Sequence, residues 1–202
     1  MSYQRIRDSR LHSITDRPII LPYNDTVKWI VEHANPKDRS FNDSAGSQLA
    51  NFRPEVFIRA YGLKLVRQLL TIEFAKAAKT RFNFDEMLKS WMHQPGKFSQ
   101  RFDNLYPVTW FKEPYSLLAA MLCILYGLPN CYVFKFEWAP VAHHVLTTGD
   151  SLPWASILLL ELKKSIQDYQ KATAKKKPNF FFSAFIYDIF CTEFQYPNFG
   201  WN

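Results

Sequence analysis

The sequence predicts a mainly α-helical protein with at most a minor extended or two-stranded element. The most apolar run, at 110–127, has the length and composition of a buried helix. Apolar residues recur at three- and four-residue steps over 54–79, the period of an amphipathic helix. A strand-like alternation is confined to 131–138. We therefore expect a single compact domain of about five or six helices at 23–202, preceded by an extended arm at 1–22.

The central helix of this domain is predicted at 114–126, where almost every side chain is apolar. Pro114 suits a first helical turn, and Gly127 accepts the left-handed conformation that often ends a helix. Such a helix lacks a solvated face and should be covered on most sides. Its nearest partners are predicted to be the helices at 153–174 and 180–194.

The elements before the central helix are justified by caps and periodicity. In 1–22, charges alternate with isolated apolar residues, which favours an extended arm. A short helix is predicted at 26–34, capped by Asn24 or Asp25. The polar stretch 36–53 is typical of a surface loop. The helix at 54–79 is the longest pattern, with Gly62 as a bend, and another helix is predicted from 84 to 93.

Positive charge is concentrated in residues 61–101, which we call the basic segment. The net charge of the chain is +7. The basic segment carries eight Lys or Arg against three Asp or Glu, so it holds five of those seven net charges. Clustered cations attract phosphates. The residues predicted to contact nucleic acid are Lys64, Arg67, Lys76, Lys79, Arg81, Lys175, Lys176 and Lys177.

After the central helix, residues 131–138 predict a strand that needs a partner, either 18–22 or none if the stretch runs extended over the core. A helix is predicted at 152–174, turning from apolar to lysine-rich before Pro178. Two apolar stripes at 180–194 predict a core helix.

Composition and motifs count against several kinds of binding and catalytic site. Only 6 glycines and the absence of G-x-x-x-x-G-K-[ST] and G-x-G-x-x-G count against a glycine-rich nucleotide site. The three cysteines show no C-x-x-C spacing and are expected to be reduced. Adjacent His143 and His144 point in different directions on a helix or a strand, which is poor geometry for zinc. We expect no metal and no cofactor, and a catalytic site, if one exists, would be dispersed around His143, His144 and Asp150.

The start of the chain has no apolar secretory core, and no apolar run reaches the roughly 20 residues that span a bilayer. We therefore expect an intracellular protein, in the nucleus or the cytoplasm, without a membrane span. The aromatic tail, residues 194–201, is predicted to be a second contact surface, which binds another protein or, in a homo-oligomer, a second copy of the chain. Its predicted contact residues are Phe194, Tyr196, Phe199 and Trp201.

Three consecutive pieces of the sequence carry a family resemblance: EWAPVAHHVLTTG (137–149), SLPWASILLLELKKSIQDY (151–169) and KKKPNFFFSAFIYDIFC (175–191). Their order resembles the C-terminal part of plant transposon-associated proteins, in which a Trp-centred segment precedes an ILL-type helix, a lysine-rich gap and an apolar segment ending near a Cys. The resemblance implies an element-derived accessory protein whose partner is nucleic acid or protein. It assigns no functional residue and implies no catalysis, since neither a D-D-E arrangement nor a C-x-x-C-x-x-x-x-H-x-x-x-x-C knuckle is found.

Three function classes follow from the sequence. The first is a non-enzymatic interaction protein with a basic helical face that binds nucleic acid. The second is a protein-interaction or self-assembly module that uses the aromatic tail. The third is an enzyme with a dispersed site.

Overall fold

The computed structural model describes residues 2–15, 24–64, 84–100, 104–126, 133–172 and 183–194. In these ranges the protein is mainly α-helical, as the sequence predicts. The helices described there are α1 (Ser2–Asp8), α2 (His12–Thr15), α3 (Asn24–Glu32), α4 (Pro54–Tyr61), α5 (Phe84–Trp91), α6 (Tyr115–Leu125), α7 (Ala139–Thr148), α8 (Trp154–Lys171) and α9 (Ser183–Phe194). The described strands are β1 (Ala34–Asn35), β2 (Ser40–Asn42), β3 (Gln48–Asn51), β4 (Leu105–Pro107) and β5 (Val133–Lys135). None of these helices is both long enough and apolar enough to cross a bilayer.

The chain divides into two compact units. The first unit contains Met1–Asp16 and Val66–Trp154, and the second contains Arg17–Leu65 and Ala155–Asn202. Each unit therefore joins segments that are distant in sequence. The assignment of 23–202 to a single domain stays a prediction.

Helix α6 confirms the predicted central helix. Its buried side chains are Leu118, Ala119, Met121, Leu122, Cys123 and Leu125. It packs against α2, β5 and the 3-10 turn Val108–Trp110. The helices predicted as its nearest partners are not among these neighbours, so that prediction is wrong. Short neighbours in its own unit supply the apolar cover instead. Gly127 lies outside the described residues.

The first stretch of the predicted arm is helical, so the extended conformation predicted for 1–22 is wrong over residues 2–15. Its buried apolar side chains are Ile6, Leu11 and Ile14. Helix α1 packs along α7, where the Arg5 guanidinium donates to the Leu146 carbonyl at 2.5 Å. Roughly one buried side chain per turn anchors these helices, which is too sparse a pattern to predict a helix from sequence.

Strand β5 confirms the strand predicted within 131–138, and its partner is β4. The two strands are antiparallel, with Tyr106 opposite Phe134, and both of these side chains are buried. The alternative partner, 18–22, lies outside the described residues. A 3-10 turn, Phe136–Trp138, then leads directly into α7.

In the second unit, a three-stranded antiparallel sheet of order β1-β2-β3 replaces the predicted surface loop at 36–53. Phe41 and Phe52 are fully buried, with ring centroids 4.9 Å apart. The Asp43 carboxylate accepts hydrogen bonds from the N–H groups of Ala45 and Ser47, which fixes the β2–β3 turn. The polar residues that suggested a loop therefore build the turns of a sheet with very short strands.

Helix α4 ends at Tyr61, so the continuous helix predicted over 54–79 is wrong at this point. Gly62 takes the left-handed conformation, with φ 61°, and its N–H bonds to the Ile58 carbonyl. It is a helix cap and not a bend. Residues 65–83 lie outside the described residues.

Helix α9 packs against α3 and α4 in the second unit. The Tyr61 hydroxyl donates to Asp188 Oδ2 at 2.9 Å, and Arg59 forms an ion pair with Glu193. Helices α8 and α9 confirm the helices predicted at 152–174 and 180–194 over their described lengths.

Candidate functional site

One of the cations predicted to contact nucleic acid lies in the described chain. Lys64 is exposed, two residues beyond the Gly62 cap, in the second unit. The other predicted contact residues lie outside the described residues: Arg67, Lys76, Lys79, Arg81, Lys175, Lys176 and Lys177. Their role stays a prediction.

The predicted aromatic surface begins at the end of α9. Phe194 is the last residue of that helix, and its side chain is outside the described part. Tyr196, Phe199 and Trp201 also lie outside the described residues. The partner-binding role of this tail therefore stays a prediction.

His143 and His144, which we call the histidine pair, lie on α7 and are half-buried. The His143 ring meets the edge of Phe84 with centroids 6.1 Å apart. Burial lowers the pKa of His143, and the charge of its neighbour lowers it further. Burial also lowers the pKa of His144, against the opposing effect of the Asp150 carboxylate. Both rings are thus held towards the neutral form by packing.

The cysteines have packing environments where they are described. Cys123 is buried in α6, and its thiol donates to the Val133 carbonyl at 3.4 Å. Burial raises the pKa of the Cys191 thiol, which favours the unreactive protonated form. Cys131 lies outside the described residues. Within the described ranges, no three His, Cys, Asp or Glu side chains gather as metal ligands would.

An open cleft of about 280 Å³ lies in the first unit, between the segment that follows α5 and the turn that precedes α6. The described residues that line it are His93, Gln94, Lys97, Thr109 and Trp110. The first three belong to the basic segment. Trp110 is half-buried, whereas the other four residues are exposed.

Backbone hydrogen bonds hold the two walls of the cleft together. Met92 and Phe111 form an isolated antiparallel bridge, and both side chains are buried. On one side of the bridge, the His93 N–H donates to the Trp110 carbonyl at 2.9 Å. On the other side, the Lys112 N–H donates to the Trp91 carbonyl at 2.8 Å. The segment after α5 and the turn before α6 are therefore joined by backbone hydrogen bonds on both sides of the bridge.

The polar groups of the cleft favour an anionic, partly aromatic ligand. The Lys97 ammonium lies over the Trp110 ring, 5.9 Å from its centroid. Gln94, Thr109 and His93 add an amide, a hydroxyl and an imidazole, each able to donate a hydrogen bond. Among the described residues that line the cleft there is no carboxylate. These residues therefore do not repel an anion, and the Trp110 indole can lie beside a flat ring.

Sequence reasoning missed this cleft. Lys97 is counted in the basic segment, but nothing in the sequence places it beside Trp110. The contact depends on the Met92–Phe111 bridge, a two-residue pairing with no alternating pattern on either side. The sequence signal that could have pointed to the cleft is Trp110, the tryptophan that begins the apolar run at 110–127.

Comparison of the chain with protein-family models, with curated proteins and with solved structures finds no match.

Proposed function

We propose that this protein is a non-catalytic nucleic-acid-binding protein, and that cations of the basic segment and the cleft in the first unit each contact the nucleic acid. The observation that carries the proposal is the position of the cleft. His93, Gln94 and Lys97, from the last part of the basic segment, face Trp110 across it. Positive charge and an aromatic ring therefore meet at one place in the first unit.

The charge distribution supports the same partner. Nucleic acid is bound largely through cations that neutralise phosphates and release condensed counterions. Five of the seven net charges of the chain belong to the basic segment. An anionic polymer is therefore drawn more strongly to this segment than to the rest of the chain.

The resemblance of residues 137–191 to plant transposon-associated proteins agrees with a nucleic-acid partner. We propose a transposable-element origin on that resemblance alone. Such an origin also suits a binding role, because the resemblance implies an accessory protein.

A charge-reversal experiment tests the proposal. One variant replaces four residues of the basic segment, Lys64, Arg67, Lys76 and Lys79, by Glu. A matched control replaces four cations outside the segment, Lys28, Lys37, Arg53 and Lys164, by Glu, all exposed in the structure. Both variants undergo the same change in net charge, and circular dichroism verifies that each is folded.

We expect the first variant to lose binding to single- and double-stranded probes at low salt and the control to retain most of it. Equal losses in the two variants would mean that binding follows net charge and not the basic segment. No binding by the unmodified protein at low salt would overturn the proposed function.

A further inference from the structure

We infer that the cleft holds one unpaired base of a single strand, stacked on the Trp110 indole, while Lys97 binds the adjoining phosphate. This inference rests on the proposed function and names the form of nucleic acid that the cleft selects.

The size of the cleft suits one nucleotide unit. Its volume of about 280 Å³ is slightly below the roughly 300 Å³ at which the range for small-ligand pockets begins. A longer ligand can have only one of its units inside. Because the cleft is open, a strand can continue on both sides of the bound unit.

The Trp110 indole is placed to receive a base. Its backbone is fixed by the hydrogen bond from the His93 N–H, so little order has to be gained on binding. Lys97 lies over this ring before any ligand arrives. Exposed cation–π contacts are weaker than stacking of a base on an aromatic ring, so a base can displace the ammonium from the indole. The displaced ammonium, on its flexible stem, remains beside the base and can reach its phosphate.

The remaining polar groups favour an unpaired base. Gln94 and Thr109, at the rim of the cleft, can donate to and accept from the edge of a base. In a duplex that edge is already paired, and both faces of the base are stacked. In a single strand, the edge and the faces of the base are already accessible. A duplex would first have to be unpaired and unstacked, which costs free energy.

The test compares two oligonucleotides of equal length and charge: a thymidine homopolymer and a strand of the same length made of abasic sites. Full-length protein is titrated with each at fixed low salt. Base stacking on an aromatic side chain corresponds to roughly 5- to 140-fold in Kd, so the base-bearing strand should bind more tightly by a factor in that range.

Trp110→Leu should remove this preference while leaving the Kd for the abasic strand unchanged, because the phosphate contacts remain. Trp110→Phe keeps a smaller ring and should retain part of the preference. Lys97→Gln should weaken binding to both strands by a similar factor. Trp29→Leu, which removes a surface tryptophan of the second unit, is the matched control and should behave like the unmodified protein.

If both strands bind equally and Trp110→Leu changes neither Kd, the inference is wrong while the proposed function stands. If neither strand binds, the proposed function itself fails. If Trp110→Leu is unfolded by circular dichroism, Trp110→Phe decides, since retention of the full preference by a smaller ring at this position would contradict stacking on the indole.

Discussion

Replacing Leu122 by Ala tests the role of α6 as the core of the first unit. The Leu122 side chain lies in the second half of the helix and is 0% exposed. The substitution removes buried methyl groups and leaves a cavity that the surrounding side chains can fill only in part. Fully buried Leu→Ala substitutions of this kind lower the free energy of unfolding by about 2.7–5.0 kcal/mol.

For a chain of this length, each kcal/mol corresponds to a change in Tm of about 2–4 °C. The expected fall in Tm is therefore roughly 5–20 °C. Thermal unfolding followed by circular dichroism at 222 nm measures it, with urea unfolding as an independent estimate of the free energy.

Leu117→Ala is the matched control. It makes the same chemical change in the same helix, where the side chain is 36% exposed, and it has the same effect on helix propensity. We expect Leu117→Ala to lower the free energy of unfolding by about 1 kcal/mol or less, because truncating a partly exposed leucine removes less buried apolar area. Equal effects of the two substitutions would refute the account of α6 as the core.

Three further predictions concern other contacts. Trp154→Phe removes the indole N–H that donates to the buried Ser9 carbonyl at 2.6 Å and should lower the free energy of unfolding by about 1–3 kcal/mol, measured in urea. Gly149→Ala should lower the free energy of unfolding more than Gly62→Ala does. Both positions have positive φ, which strains an alanine. A Cβ at Gly149 would in addition lie 3.3 Å from a side chain of α1, whereas the space at Gly62 is open. Thermal unfolding of the two variants compares these costs, and the reverse order would contradict the close approach. The histidine pair has pKa values below the ordinary 6.5, so the unfolded state takes up protons first as the pH falls. The contribution of the pair to the free energy of unfolding should therefore be complete above pH 6.5 and decrease below it. Replacing both histidines by glutamine should flatten this dependence in urea unfolding between pH 7.5 and 5.5, and an unchanged slope would mean that other groups cause it.

The long helices could be predicted because their own sequences carry the relevant physics. The apolar run of α6 needs cover on most sides, whichever residues supply it. Helices α8 and α9 likewise show their buried faces as periodic patterns. Identifying their partners needs contacts between distant segments, and the prediction that α8 and α9 are the nearest partners of α6 was wrong.

The short elements could not be predicted for a different reason. Each strand of the sheet at 34–51 has two to four residues, too few for an alternating pattern. Turn residues such as Asp43 then dominate the local composition and suggest a loop. Helix α1 has a similar problem, since its stability depends on packing against α7 and not on its own sequence.

The cleft is the clearest case of a feature beyond sequence reasoning. The concentration of cations at 61–101 is visible in the sequence, and it predicted the type of partner. The meeting of Lys97 with Trp110 depends on one backbone bridge between residues almost twenty positions apart. The concentration of positive charge could thus be predicted from the sequence, whereas the contact between Lys97 and Trp110 could be seen only in the structure.

The measurement that tests the central claim most directly is the salt dependence of binding between the full-length protein and a single-stranded oligonucleotide. Each phosphate neutralised in a single strand contributes about 0.7 to the slope of log Kobs against log salt. If four cations of the basic segment are engaged, the observed binding constant should fall linearly with a slope near −3. No detectable binding at low salt, or binding that salt leaves unchanged, would contradict the account.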